Sequence, residues 1–389
     1  MAFPSFVFTI FTYLSFFVLK EIRTMRIGVD IKTFSHNSTG IARYLSELLD
    51  SLQISDQKNE YFLFECRLTG YKIRNARWQK ITSRWFLPGI LWQQLVLPFL
   101  LNKHRIDVFW APEQICPIFC MKKIKIITTV HDCVAVHYPH SSQWSVYVIN
   151  KLLLGPTLSI SNRLITVSNF IRSDVLKSFT PAISPHKVVA IPNGKPSWIL
   201  PPDYTPESRG DYLFFAGNTE PRKNLLNAIK ALELLFDKKI SIKLYIAGPL
   251  GWKNKTVMSY MHHSRIGNNI RFLGFCDDTA LISHYLHCKA FLFPSLYEGF
   301  GLPVLEALCL DCLVLTSQGT AMEEILGPAA LYFNPTNPHS IAKSIETVFS
   351  SGFNRSSVLK HKEAVLKNYS WEHSARRLLA VLCEKSGPT

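Results

Sequence analysis

Two glutamates, Glu298 and Glu306, stand with seven residues between them in the run Phe293-Pro294-Ser295-Leu296-Tyr297-Glu298-Gly299-Phe300-Gly301-Leu302-Pro303-Val304-Leu305-Glu306. An ionised carboxylate only accepts hydrogen bonds, and its two oxygens can take both hydroxyls of a vicinal diol. One such group in a loop and a second about one turn into a helix suit a ligand with a diol at each end, such as a hexose joined to a ribose. Gly299 and Gly301 carry no Cβ and let the backbone come close to that ligand. Pro303 fits the first turn of the helix, where its missing N–H costs nothing. Either acid alone reads as an ordinary solvated side chain; the combination with the glycines and the proline favours a binding role.

Arg222 and Lys223 follow a predicted strand, 212–216, and open a predicted helix, 225–236. The positive end of a helix dipole disfavours two cations unless an anion is bound there. A diphosphate would be such an anion. A cation about 4 Å from a phosphate oxygen contributes about 4 kcal/mol at an effective dielectric of about 20. Gly217 and Asn218 belong to the same loop, and a helix start adds free N–H groups for phosphate. His131, with Asp132, ends a predicted strand, 124–130, and in open α/β sheets that end faces the ligand crevice. A hydroxyl-binding role for His131 competes with the commoner structural one. Gly40 closes the loop after the first strand and precedes a helical pattern over 41–52; alone it is weak.

The elements that must position these residues alternate. Short apolar runs at 27–31, 61–65, 108–110, 124–130, 163–167 and 188–191 read as buried strands with helices between them. A proline-bearing stretch, 195–209, reads as a linker. A second series follows at 212–216, 243–247, 270–273, 290–293, 313–316 and 330–333. The fold class expected is α/β, with two facing Rossmann-like, doubly wound parallel sheets and a cleft between them. The expected division is a leader over 1–24, a first domain over 25–198, a second over 199–370, and a last segment over 371–389.

A chain of 389 residues with 47% apolar residues suits two cores and excludes a disordered protein. Its nine cysteines are odd in number and scattered, which favours free thiols and a reducing compartment. Neither HExxH nor an Asp-x-Asp pair is present, so a metal-independent site is expected. Residues 1–200 carry 23 Lys and Arg against 11 Asp and Glu, so an anionic partner is expected for the first half. No nucleic-acid module accompanies that charge. The segment Tyr71–Leu87 mixes cations with Trp78 and Trp85, which suits an anionic membrane surface as well as it suits a basic loop with core tryptophans. Ala2–Leu19 is uncharged and rich in phenylalanine, borderline for a spanning helix. It reads either as an N-terminal anchor or as a stretch ahead of a working start at Met25.

Glu298 to Glu306 resembles the E-x7-E motif of the retaining glycosyltransferases of family 4, which share the two-domain GT-B fold. Phe215-Ala216-Gly217-Asn218-Thr219-Glu220-Pro221-Arg222-Lys223-Asn224 resembles that family's first strand and phosphate loop of the second domain. Val130-His131-Asp132, Ile165-Thr166-Val167-Ser168-Asn169-Phe170 and Ile191-Pro192-Asn193-Gly194 resemble landmarks of its first domain. The likeness spans about residues 25–380 and runs to the O-antigen and capsule mannosyltransferase branch. It implies His131, Arg222, Lys223 and Glu298 as catalytic residues. It implies Gly40, Gly217, Asn218, Gly299, Phe300, Gly301, Leu302 and Glu306 as donor-binding residues, with Thr316 and Glu324 near the nucleotide. It also implies a last helix, 371–383, that crosses back to the first domain. Asn218 departs from the arginine that many members carry there, and Pro328 replaces an acid. The activity implied is transfer of a hexose, GDP-mannose being the first guess for the nucleotide-sugar donor. The acceptor implied is lipid-linked, or a polysaccharide, at the inner face of the cytoplasmic membrane. A sugar-nucleotide epimerase, a soluble sugar-phosphate synthase, or a catalytically idle assembly partner are the alternatives.

Overall fold

The computed structural model describes residues 24–35, 40–83, 87–120, 124–141, 143–196, 198, 209–251 and 254–384. The first sheet holds β1 (Arg26–Asp30), β2 (Glu60–Glu65), β3 (Trp78–Thr82), β4 (Val108–Ala111), β5 (Lys125–Val130), β6 (Arg163–Thr166) and β7 (Val188–Ala190), in the order β3-β2-β1-β4-β5-β6-β7. The second holds β8 (Tyr212–Ala216), β9 (Lys243–Ala247), β10 (Ile270–Gly274), β11 (Ala290–Phe293), β12 (Val314–Ser317) and β13 (Leu331–Phe333), in the order β10-β9-β8-β11-β12-β13. All the pairings are parallel. Strands covered on both faces become continuous apolar runs, and β4, β5 and β11 are buried along their whole length.

The helices used below are α1 (Gly40–Ser55), α2 (Trp144–Ile160), α3 (Asn169–Ser178), α4 (Leu225–Asp237), α5 (Leu302–Cys309), α6 (Ala321–Leu326) and α7 (Trp371–Cys383). Between β3 and β4, three successive helical segments, Gly89–Leu91, Trp92–Val96 and Leu97–Lys103, run on as one helical arm. Helix α1 buries Tyr44, Leu45, Leu48, Leu49 and Leu52, the stripe its 3.6-residue period dictates. Helix α7 packs on the first domain. Trp371 lies so near Gly194 that a Cβ there would fall 2.4 Å from it, which requires the glycine. The Lys125 ammonium donates to the Val381 and Glu384 carbonyls, at 2.7 and 2.6 Å, and so satisfies the open C-terminal end of α7.

Strand order reverses between β1 and β4 in the first sheet and between β8 and β11 in the second. At such a switch the loops leave in opposite directions and open a crevice beyond the carboxyl ends of the strands. The site residues follow β1, β4, β5, β8 and β11.

Strand β3 was not foreseen. It lies inside the stretch that the sequence offers equally to a membrane surface, and Trp78 goes to the core, stacked 4.1 Å from Tyr61. Residues 84–86, with Trp85, lie outside the described residues, as do residues 1–23 of the leader over 1–24 and most of the linker. Among the described residues no helix is long and apolar enough to cross a membrane. All nine cysteines are free thiols, five of them buried.

Candidate active site

The second domain's crevice is built by two loops stitched together. After β8 the chain turns at Gly217, whose φ of +148° suits glycine, and passes through a short 3-10 turn, Pro221–Lys223. Asn224 then takes a left-handed conformation, and its amide donates to the carbonyls of Pro294 and Pro335, at 2.9 and 2.8 Å. The Leu296 N–H donates to the Arg222 carbonyl at 2.8 Å. This pins the loop after β8 to the loop after β11.

The pinning gathers charge. One oxygen of Glu298, Oε1, accepts from Lys223 Nζ at 2.6 Å and from Arg222 Nη1 at 2.9 Å, and all three side chains are largely buried. Arg222 also reaches Glu220, at 3.3 Å. Burial alone would raise the Glu298 pKa; Arg222 and Lys223 reverse it and hold the carboxyl at about 2. Burial lowers the Lys223 pKa, against the pull of Glu298. The cations expected at a phosphate and the carboxylate expected at a sugar are thus one cluster. Asn218 Nδ2 donates to Glu220 at 2.6 Å, while its buried Oδ1 has no partner among the described residues. A groove of about 620 Å³ opens beside Pro221, lined also by His140, Ser141, Gly251 and Lys255.

Glu306 faces inward from α5, whose N-cap Gly301 has a φ of +82°. The sequence assigns its two oxygens to a diol, but both hold protein partners here. Oε1 accepts from Arg43 Nη1 at 2.6 Å and Oε2 from the Tyr285 hydroxyl at 3.1 Å. Arg43 comes from the other domain, in the first turn of α1. Its guanidinium lies 5.0 Å over the Trp198 ring and 3.5 Å from Asp278. Burial raises the Glu306 pKa, with Arg43 pulling the other way. The sequence reading passed over Arg43, although a cation in a helix's first turn is the anomaly that singled out Arg222 and Lys223.

The other expected residues divide. His131 follows β5, and its Nε2 lies 2.7 Å from the Pro112 carbonyl, with the ring edge-on to Tyr44 at 4.7 Å. Gly299 abuts it: a Cβ there would fall 1.7 Å from the His131 carbonyl oxygen. The loop around Gly299 is clamped to the first domain. Ser168 Oγ donates to the Gly299 carbonyl at 2.7 Å, and the Tyr297 hydroxyl accepts from the Cys133 N–H at 3.1 Å and donates to Asp174. Phe300 is buried edge-on against Tyr369, a packing contact. Leu302 is half-buried at the start of α5, and Gly40 opens α1, where a Cβ would meet nothing within 4 Å. Thr316 is fully buried and donates to the Phe293 carbonyl at 3.0 Å. Glu324 caps α3, accepting from the N–H groups of Asn169 and Phe170 at 2.8 and 2.7 Å.

The Gly299 contact is testable. Gly299→Ala should lower stability by about 1–3 kcal/mol, the usual cost of forcing a methyl into packed backbone. Urea unfolding checks it; an unchanged midpoint would mean that the two backbones do not touch.

A second cluster escaped the sequence reading. At the first sheet's switch, Lys32 Nζ lies 3.0 Å from Asp30 Oδ2 and 2.6 Å from Glu113 Oε2. Gln93, from the helical arm, donates to the same Asp30 oxygen and to the Ile115 carbonyl, both at 2.9 Å. Burial raises the Asp30 pKa, while at Glu113 the attraction of Lys32 overcomes burial and lowers it. Asp30 ends β1, the one sequence signal available. The cluster offers hydroxyl groups a buried, charged rim next to His131.

Residues 38–195 match the family described as Glycosyltransferase Family 4, and residues 198–363 match Glycosyl transferases group 1. The chain is 25% identical over 380 residues to O-antigen chain mannosyltransferase B of Escherichia coli, covering 90% of this chain and 97% of that protein. It is 26% identical over 257 residues to the serotype-specific mannosyltransferase WbdA of Escherichia coli, covering 60% of this chain and 31% of that longer protein. Among solved structures, WaaG, a glycosyltransferase involved in lipopolysaccharide biosynthesis, superposes with a TM-score of 0.67 at 14% identity, covering 92% of this chain and 99% of that one. HepE of Anabaena, in complex with UDP and glucose, superposes with a TM-score of 0.66 at 15% identity, covering 93% of this chain and 100% of that one.

Proposed function

The chain belongs to the glycosyltransferases of family 4 and group 1, with the GT-B fold, and from that premise we propose that it moves mannose from GDP-mannose to a glycan hydroxyl with retention at the anomeric carbon. The acceptor in this reading is lipid-linked, or a growing polysaccharide, in cell-surface glycan synthesis at the inner face of the cytoplasmic membrane. The relatives named for O-antigen synthesis support that choice of donor and acceptor. The nucleotide sugar as donor class draws support from the UDP complex of HepE.

The observation that carries the reading is the Arg222–Lys223–Glu298 cluster at the second sheet's switch. As the glycosidic bond breaks, negative charge grows on the departing diphosphate. Preorganised cations in a buried site stabilise that charge without reorganising. Arg222 and Lys223 are those cations, and no metal is invoked. Glu298 orients them and presents its carboxylate to the sugar. Burial lowers the His131 pKa below its ordinary 6.5, so the ring is neutral at pH 7. With Nε2–H donating to the Pro112 carbonyl, Nδ1 is left as an acceptor for a sugar hydroxyl. In the retaining step the acceptor hydroxyl attacks from the face the leaving group occupies, and its proton passes to the leaving phosphate.

The test is thermal unfolding of the full chain with GDP, UDP, ADP and dTDP sugars, followed by transfer to a lipid-linked acceptor with EDTA present. GDP-mannose at about a hundred times its dissociation constant should add about 2.7 kcal/mol, and the product should be the α-mannoside. A shift with another nucleotide alone would overturn the donor, a β-product would overturn retention, and loss of turnover in EDTA would overturn the metal-free scheme.

A further inference from the structure

The helical arm is apolar on both sides. Inward it buries Trp92, Leu97 and Leu101; outward it exposes Leu91, Leu95 and Phe99, which are 47%, 64% and 65% exposed and four residues apart. A helix apolar all round belongs in a core or against lipid. The stripe does not stand alone. The loop after β4 is tied to the arm, since the Ile118 N–H donates to Gln94 Oε1 at 2.9 Å and Gln94 donates to the Cys116 carbonyl at 2.9 Å. That loop exposes Phe119, at 79%. On its other flank α2 is tied to the same loop, through Gln114 to Asn150 at 3.0 Å and the Cys116 N–H to Thr157 at 3.3 Å. Helix α2 exposes Trp144 and Leu152, at 77% and 63%. Exposed apolar groups thus stand on three segments that are tied to one another.

Charge says what covers it. There is no Asp or Glu between Leu87 and Ile106, between Gln114 and His131, or between Cys133 and Ser173. Lys103, Arg105 and Lys151, within those stretches, are exposed. An apolar face without acids and with exposed cations complements an anionic bilayer. The arm also has an inner errand: Gln93 holds Asp30 of the charged cluster at the first sheet's switch. We infer that the arm, the loop after β4 and α2 form the surface on which this protein lies on anionic lipid, with the acceptor reaching the Asp30–Lys32–Glu113 cluster from beneath. This replaces the Tyr71–Leu87 stretch as the membrane-facing candidate, and it rests on the reading of a lipid-linked acceptor.

The experiment sediments the full chain with vesicles of phosphatidylcholine and with vesicles of equal parts phosphatidylcholine and phosphatidylglycerol. It is repeated with the Leu95→Ser/Phe99→Ser variant and with Trp144→Ser, each checked for fold by its thermal shift with the donor. Transfer is then measured to an acceptor embedded in the anionic vesicles and to a water-soluble analogue. Wild type should favour the anionic vesicles. The double variant should lose about a hundredfold in partition and in transfer to the embedded acceptor, the effect of withdrawing two apolar side chains from lipid, and keep transfer to the soluble one. Equal partition of wild type to both vesicles overturns the inference. So does a variant unchanged in both partition and embedded transfer, or a self-association in solution that the variants abolish. Wild type that sediments through this face yet transfers to neither acceptor would sink the functional reading and leave the surface standing.

Discussion

Lys223→Ala should lower kcat by about 10²–10³, the usual effect of removing one preorganised donor from a developing negative charge. The ammonium is buried, 4.9 Å over the Phe293 ring, and among the described residues no cation other than Arg222 reaches the Glu298 oxygen it holds at 2.6 Å. Glu298→Gln separates this role from mere binding. It leaves Lys223 buried without its counter-charge and Arg222 with Glu220 alone, and breaking a buried pair in this way costs about 3–5 kcal/mol. A nucleoside diphosphate brings negative charge back. The Gln variant should therefore gain more stability from GDP than wild type does, while remaining nearly inactive. Equal gains in both proteins would remove the diphosphate from this cluster. The pH dependence has a definite sign. Burial works against the ionised form, but the two cations hold Glu298 at about 2 against an ordinary 4.5. Its contribution is fully present above about pH 4.5 and is lost as pH falls toward 2. The gap between wild type and Glu298→Gln should be level from pH 5 upward and close in acid, as urea titrations at stepped pH would read.

The second large effect belongs to the pair that joins the domains. Arg43→Ala strips the buried Glu306 of its cation and leaves only the Tyr285 hydroxyl. A loss of about 3 kcal/mol is expected, at the lower end for a broken buried pair because Arg43 is partly exposed. Burial already raises the Glu306 pKa, and without Arg43 it rises further. A carboxyl with a raised folded pKa binds protons more tightly folded than unfolded, so the variant should lose stability as pH climbs from about 4.5. Adding Glu306→Gln should recover part of the loss, with a coupling of about 1–3 kcal/mol for groups in contact. Strict additivity would mean that the ion pair is not formed in solution. On the reading that Glu306 binds the donor's ribose, Glu306→Gln alone should raise KM for the donor with kcat little changed, because such a contact would be made equally in ground and transition states.

How far this site could be read from sequence depended on range. Glu298, Lys223 and His131 each follow an apolar run within a few residues, so their place at a carboxyl strand end was visible. The contacts between them were less so: Lys223 and Glu298 meet only because Asn224 ties its loop to Pro294 and Pro335. Arg43 and Glu306 are 263 positions apart, and no spacing rule links them. The first sheet's edge was hidden for another reason. Strand β3, Trp78-Gln79-Lys80-Ile81-Thr82, is half-buried at the sheet's edge, so polar residues interrupt its apolar pattern. The mixture of tryptophan and cations suited a surface and a core equally, and no period-two alternation settles it, since Trp78 and Ile81 are three positions apart and fall on opposite faces. Glu324 resembles a position near the nucleotide, but here it spans the domains to cap α3, a bond that lies in the tertiary fold alone.

The backbone crosses between the domains twice, once after Gly194 and once before Trp371, and the crossings run side by side. The Lys195 N–H donates to the Tyr369 carbonyl at 3.3 Å, and Ser374 donates to the Pro192 carbonyl at 2.5 Å. Mechanically this is a doubled hinge pin. Opening of the cleft becomes a rotation about one short axis through Lys195 and Tyr369, whereas sliding one domain along the other would shear both crossings at once. Arg43–Glu306 and Ser168–Gly299 both bridge the domains away from that axis, so a rotation about it would part both contacts in the same motion.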